Sequence, residues 1–183
     1  EIRLSLVGSE MCIRDRYVGI SKYPPAQAKI AYEMLRAAGV PCLISQYRYS
    51  MFDRTVEEKS LPLAAEQGSG FIAFSPLAQG LLTKKYLHGI PEHSRAARST
   101  GFLKVDQVTE DKVGKARRLD EIAARRGQTL AEMALAWVLK DERMTSVIVG
   151  TSSVKQLADN LHALDNLNFT NEELAEIEGI LRL

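Results

Sequence analysis

Cysteine is almost missing from this chain: Cys12 and Cys42 are the two thiols in 183 residues. Two cysteines cannot build a disulfide framework, so a reducing, cytoplasmic setting is expected. Cys42 sits in an apolar run and reads as a small buried hydrophobe, not a nucleophile. Histidine is as sparse. His88, His93 and His162 lack the spacing of a metal site and are expected to be solvated or capping groups. No apolar run approaches the roughly 20 residues that a membrane helix needs, so no membrane partner is expected. Charge of one sign is lacking too. A formal net charge of +1 gives no electrostatic reason to expect nucleic acid. What is present, 45% hydrophobic and 26% charged residues, is the composition of one globular domain with a real core.

The chain starts at Glu1 rather than Met, so the reading frame is expected to extend upstream. Residues 1–16 carry no cap or period that joins them to the rest of the chain. The string SLVGSEMCIRDR within them resembles translated adaptor sequence. Residues 1–16 are therefore expected to be artefactual, with a genuine amphipathic strand as the alternative, and 17–183 to be the domain.

From Tyr17 the pattern is regular. Tyr17–Ile20 is the first expected strand. Pro24 and Pro25 then open a helix, where a missing N–H is harmless, with Ala28, Ala31, Leu35 and Ala38 inward and Gly39 as the stop. Cys42–Gln46 is the second strand, a short helix runs from Ser60 to Glu66 before Gly68, and Phe71–Phe74 is the third strand. From Pro76 to Val108 periodicity is weak. A loop of that length is usually functional or disordered. It carries Lys84, Lys85, Arg95, Arg98 and Lys104 against Glu92 and Asp106. That excess of positive charge suits a solvated face or a flap over a phosphorylated ligand. Thr109 caps the next helix, which Gly127 ends. Thr129-x-x-Glu132 and Thr170-x-x-Glu173 are capping boxes, and Trp137 belongs to the apolar stripe of the helix after the first box.

Between the boxes lies Ser146 to Asn160, the stretch richest in chemistry. Val147–Val149 has the composition of a fully buried strand. Gly150 allows a turn, and Thr151, Ser152 and Ser153 can cap a helix that is expected to bury Val154, Leu157, Ala158 and Leu161. Gln156, Asp159 and Asn160 share a second face of that helix. Free amides at a helix start and the helix dipole make an anion site, although an ordinary turn with capping serines fits the same residues. Strands alternating with amphipathic helices mean parallel βα units, and four of them are about half of a (β/α)8 barrel.

Three segments taken together, Phe74-Ser-Pro-Leu-Ala-Gln-Gly-Leu-Leu-Thr83, Gly127-Gln-Thr-Leu-Ala-Glu-Met-Ala-Leu-Ala-Trp137 and Val147-Ile-Val-Gly-Thr-Ser-Ser153, resemble the aldo-keto reductase superfamily. The likeness is greatest to the branch of glyceraldehyde-type reductases and potassium-channel β subunits, and it runs from Tyr17 to Leu183. The resemblance implies an α/β fold, the (β/α)8 TIM barrel, with this chain as strands five to eight and NADPH at their carboxyl ends. It implies Ser21 and Gln46 on the nicotinamide carboxamide and Phe74 flat against the ring. Ser75, Leu77, Gln79, Gly80 and Leu82 would follow the pyrophosphate. Gly150, Thr151, Ser152 and Gln156 would hold the adenosine 2′-phosphate end, and Asp159 and Asn160 the adenine amine. Three positions depart from the family: Lys22 where Asn is usual, Gln156 where a basic residue is common, and Lys84 where glycine is usual.

The family reduces a carbonyl by hydride transfer, with a tyrosine acid tuned by Lys, Asp and His from the first half of the barrel. No residue here matches those motifs. Tyr47, Tyr49 and Tyr86 lack Lys or His partners in the family's context, so no catalytic residue is assigned and the chain alone is expected to be inactive. The resemblance implies the cofactor-binding half of an NADPH-dependent aldehyde or ketone reductase with a small carbonyl substrate. A regulatory NADPH-binding subunit like the channel β subunits is the alternative, and a phosphate-binding half barrel without a nicotinamide role is a third reading. Oligomeric state and substrate identity are not legible.

Overall fold

The computed structural model describes residues 17–92, 94, 96–97 and 103–182. The expectations for residues 1–16, Cys12, His93, Arg95 and Arg98 lie outside the described residues. Four strands, β1 (Val18–Ser21), β2 (Cys42–Arg48), β3 (Gly70–Phe74) and β4 (Met144–Ile148), form one parallel sheet in the order β1-β2-β3-β4. Six α-helices connect or flank them: α1 (Pro25–Ala37), α2 (Ser60–Glu66), α3 (Glu110–Arg125), α4 (Leu130–Leu139), α5 (Val154–Leu161) and α6 (Asn171–Arg182). A parallel sheet reached through helical crossovers is the βα pattern expected from the sequence.

Local chemistry sets the element boundaries. Pro25 stands at the first position of α1, and Gly39 ends it at φ 72°. In α4 the capping box is complete. Glu132 N–H donates to Thr129 Oγ1 at 3.2 Å, and Thr129 N–H donates to Glu132 Oε2 at 2.7 Å. Thr170 and Glu173 repeat the arrangement before α6. Gly19 has no room for a side chain against β2: a Cβ there would stand 2.7 Å from the Ile44 carbonyl oxygen.

One face of the sheet is covered. Tyr47, Phe71 and Ala73 point into the main core with Leu61, Leu82, Leu119, Leu130 and Trp137. Tyr47 stacks on Phe71 with ring centroids 5.1 Å apart. Seven residues of α4, Leu130 and Met133 to Val138, are buried, so that helix is enclosed on nearly every side. Burying each of its larger side chains is worth about 1.5–3 kcal/mol. A smaller cluster of Ile20, Ala28, Ala31, Tyr32 and Cys42 lies under α1. Cys42 and Trp137 are core residues, as expected, while Ala38 lies past the buried stripe and is exposed. The first part of the Pro76–Val108 loop is anchored: Leu81, Leu82, Tyr86 and Leu87 sit in the core, and the Arg117 guanidinium donates twice to the Leu87 carbonyl, at 3.0 and 2.8 Å.

Two expectations are corrected at β4 and α5. The strand is Met144–Ile148 rather than Val147–Val149, and it is not fully buried; Ile148 is exposed. It pairs with β3 alone and so stands at the sheet edge. The helix is turned over. Val154 is 86% exposed, Leu157 44% and Leu161 56%, and Ala158 is exposed as well, so the apolar stripe faces outward. Asn160 is buried on the inward side, and Gln156 and Asp159 are partly exposed beside it. The physical reason is the edge itself: beyond β4 no described strand or helix supplies a surface for the stripe.

Candidate functional site

At the carboxyl ends of β3 and β4 the chain encloses a cleft of about 540 Å³. Ser75, Leu77, Gln79, Gly80, Gly150, Thr151, Ser152 and Gln156 line it, all of them singled out by the sequence. Two segments make the walls, the turn that leaves β3 and the turn that leads from β4 into α5.

The first wall is built under backbone strain. Ser75, Ala78 and Gln79 have φ of 54°, 47° and 59°, in the left-handed region that side chains with a Cβ avoid. Lys22, just past β1, has φ 59°. Four such residues at strand mouths are held there by what surrounds them, a pattern found at ligand sites. Gly80, at φ 102°, adopts a conformation only glycine tolerates well, and a Cβ there would meet the Tyr86 ring at 3.3 Å. In the second wall Ser153 caps α5 by accepting from Gln156 N–H at 3.2 Å. The Gln156 side chain folds back, its Oε1 accepting from Ser152 N–H at 2.9 Å and lying 3.1 Å from Ser152 Oγ.

Electrostatically the cleft is simple. Lys85 is the charged residue of its lining; the others are neutral polar or apolar, and no acid is among them. In the sequence Lys85 is one of several loop cations, and Thr83, Ile148 and Val149, which also line the cleft, belong to the segments of family resemblance but have no ligand role implied there. The available signal is Thr83-Lys84-Lys85: Thr83 caps the short turn by accepting from Lys85 N–H at 3.2 Å. Lys84, the residue in the glycine position, points elsewhere and pairs with Asp120 at 3.4 Å.

Ser21, Gln46 and Phe74 do not line the cleft: Ser21 and Phe74 end β1 and β3, whereas β2 runs on to Arg48, two residues past Gln46, where the sequence placed its end. Ser21 Oγ donates to Gln46 Oε1 at 3.2 Å. Gln46 shares a row across the sheet with Ser21, Ile72 and Ser146, and Phe74 lies two rows on, on the same face, with Arg48 and Ile148. Three other sequence candidates fall outside the cleft lining. Leu82 is 0% exposed, a core anchor of the loop. Asp159 pairs with Lys155 at 3.0 Å on the helix surface. Asn160 is 8% exposed against the inner side of α5, and its buried Nδ2 has no hydrogen-bond partner.

The tyrosines near the site are committed to the scaffold. Tyr47 donates its hydroxyl to the Tyr23 carbonyl at 2.8 Å, and burial pushes its pKa up to about 12. Tyr49 donates to Glu57 at 2.7 Å, and burial followed by that carboxylate raises its pKa further. Tyr86 is buried in the loop core. Among the described residues no group of three or more metal-ligating side chains occurs, and no helix is long and apolar enough to cross a membrane. A second hollow of about 380 Å³, by Met51, Arg54 and Glu178, holds none of the sequence candidates.

A parallel sheet with a polar, strained cleft at the carboxyl ends of its strands is the arrangement of α/β proteins that take phosphorylated ligands at that edge. The chain belongs to the aldo/keto reductase family, whose sequence profile matches residues 15–182, and the four βα units are consistent with part of that family's (β/α)8 barrel. Among similar proteins are the L-glyceraldehyde 3-phosphate reductases of Escherichia coli O157:H7 and of Escherichia coli strain K12. They are 47% and 45% identical over 166 residues, 88% of this chain and 48% of each relative. The chain thus spans about half the length of the curated relatives it matches.

Proposed function

We propose that the chain is the cofactor-binding part of an NADPH-dependent reductase of aldehydes or ketones, corresponding to strands five to eight of the barrel. The observation that carries this reading is the cleft, with the single cation Lys85 among neutral donors and no acid. A dinucleotide asks for that set: a cation and hydroxyl or amide donors on its phosphates, and close backbone approach where Gly80 leaves room. Lys85, Ser75, Thr83 and Gln79 would hold the pyrophosphate, and Thr151, Ser152 and Gln156 the 2′-phosphate end. To do so, Gln156 would exchange its bonds to Ser152 for the ligand. Ser21 and Gln46 already hydrogen-bond each other, as two side chains sharing a carboxamide would, and Phe74 offers an apolar face to the nicotinamide ring. Adenine contacts by Asp159 and Asn160 would require the Lys155 pair to open and Asn160 to turn outward.

When bound, the cofactor supplies a hydride. The chain's own residues bind and orient it, and the proton that completes reduction would come from a group outside residues 17–182. Phosphorylated short aldehydes are natural substrate candidates, given the name that the relatives bear. That name also weighs toward turnover and against a purely regulatory role.

Calorimetric titration of the chain with NADPH and with NADH tests the reading. Saturable NADPH binding, weakened roughly ten-fold or more by Lys85→Gln through loss of a charge-assisted bond, is expected. Absence of saturable binding would end it. Carbonyl-dependent NADPH oxidation by the chain alone would instead refute the assignment of the proton donor.

A further inference from the structure

Arg48 is unexplained by the cofactor site. It is the last residue of β2, in register with Phe74, so its side chain leaves the sheet on the same face as Phe74 and Gln46. Of the seven residues in the last two rows on that face of the sheet, Ser21, Gln46, Ile72, Ser146, Arg48, Phe74 and Ile148, it alone is charged. Its one ion pair, Nε to Asp53 Oδ2 at 3.3 Å, leaves the side chain 50% exposed. That pair is not needed to shape the turn. Ser50 and Asp53 exchange two backbone bonds of 3.0 and 3.1 Å, and Thr55 Oγ1 donates to Asp53 Oδ1 at 3.0 Å. The two Nη groups make no polar contact with a described residue.

We propose that Arg48 determines substrate specificity by binding an anionic group, phosphate or carboxylate, on the carbonyl compound that reacts beside Phe74. This rests on the proposed function, since Phe74 marks the reacting end only if the nicotinamide lies there. A planar guanidinium with Nε tethered and both Nη groups open is built for two parallel bonds to an oxyanion. Asp53 fixes its direction and keeps the charge from being bare when no substrate is present. Lys22, past the end of β1, adds positive charge at the same edge of the sheet.

The test uses NMR shift titrations of the 183-residue chain with glyceraldehyde 3-phosphate and with glyceraldehyde, in the presence and absence of NADPH. The phosphorylated probe should bind about ten-fold tighter or more. Arg48→Gln should erase that preference, and Arg48→Lys should keep part of it, with thermal melting showing both variants folded. NADPH affinity should stay within about two-fold in both. Equal binding of the two probes by the parent chain, or a preference that survives Arg48→Gln, overturns the proposal. So does a matching loss of NADPH affinity, which would assign Arg48 to the cofactor. Failure of NADPH to bind the parent chain strikes the cofactor reading and with it the reacting position beside Phe74, while the preference read without NADPH still decides whether Arg48 holds the anionic group.

Discussion

Gln79 shows what the turn after β3 demands of a single residue. It holds φ 59° with a Cβ, in a region that costs an L-residue about 1–2 kcal/mol. Gln79→Gly removes that strain but frees the unfolded chain, which costs about 0.5–1 kcal/mol. The variant should therefore gain up to about 1 kcal/mol in urea unfolding while NADPH binds less tightly; a clear loss of stability would mean that the side chain supports the loop. On β2, Tyr47 contributes to behaviour in alkali. Tyr47 titrates at about 12 in the folded protein against about 10 unfolded, so the folded state holds the proton longer. Its contribution is intact below pH 10 and is lost as pH rises from 10 to 12. Tyr47→Phe should flatten the fall in stability across that window, at the expense of the bond to the Tyr23 carbonyl at all pH values. Chemical denaturation at pH 9 and pH 11 would show an unchanged slope if the assignment is mistaken. Neither property is legible in the sequence. Ser-Pro-Leu-Ala-Gln-Gly marks a turn, but nothing in those letters says that Ser75, Ala78 and Gln79 rather than glycine take the left-handed conformation.

Elements whose determinants lie within a few residues could be read directly. Pro24-Pro25, the Thr109 cap, both capping boxes and the stops at Gly39 and Gly127 fall where the sequence puts them, because each is satisfied by a side chain or glycine within one turn. Thr129→Ala should lower stability by about 1 kcal/mol, since α4 carries much of the core on a start held by two reciprocal bonds. Glu132→Ala in the same background should then add little, because the pair acts as a unit; additive losses would refute the box. The site was legible in the same measure. Residues in the turns after β3 and β4 converge on one cleft because the parallel sheet sets those turns side by side, whereas Lys85 and Thr83 reach it through the fold of a loop with no periodicity to read. For α5 the spacing gave the right stripe and the wrong orientation. An amphipathic helix states that it has two faces; which one turns inward depends on the neighbour, and here the polar face packs on the chain.

That inversion matters for the molecule as a whole. Among the described residues the sheet ends at β1 and β4, neither of which pairs with a further strand on its outer side, and apolar side chains flank both. Tyr17, Ile30 and Met34 are exposed on one side, and Ile148, Val154, Leu157 and Leu161 on the other. Parallel sheets are ordinarily covered on both faces, and open apolar edges invite association. The relatives are about twice as long as the chain. If the stripe on α5 is solvated in the 183-residue chain, Leu157→Lys removes no packing and should change urea stability by no more than about 0.5 kcal/mol, while raising solubility. A buried leucine replaced by a charge would lose about 2 kcal/mol or more. Measured at two protein concentrations, the parent midpoint separates the cases. An invariant midpoint with a neutral substitution means a solvated stripe. A midpoint that rises with concentration and falls in the variant means that a second copy already covers it, because self-association stabilises the folded state by mass action.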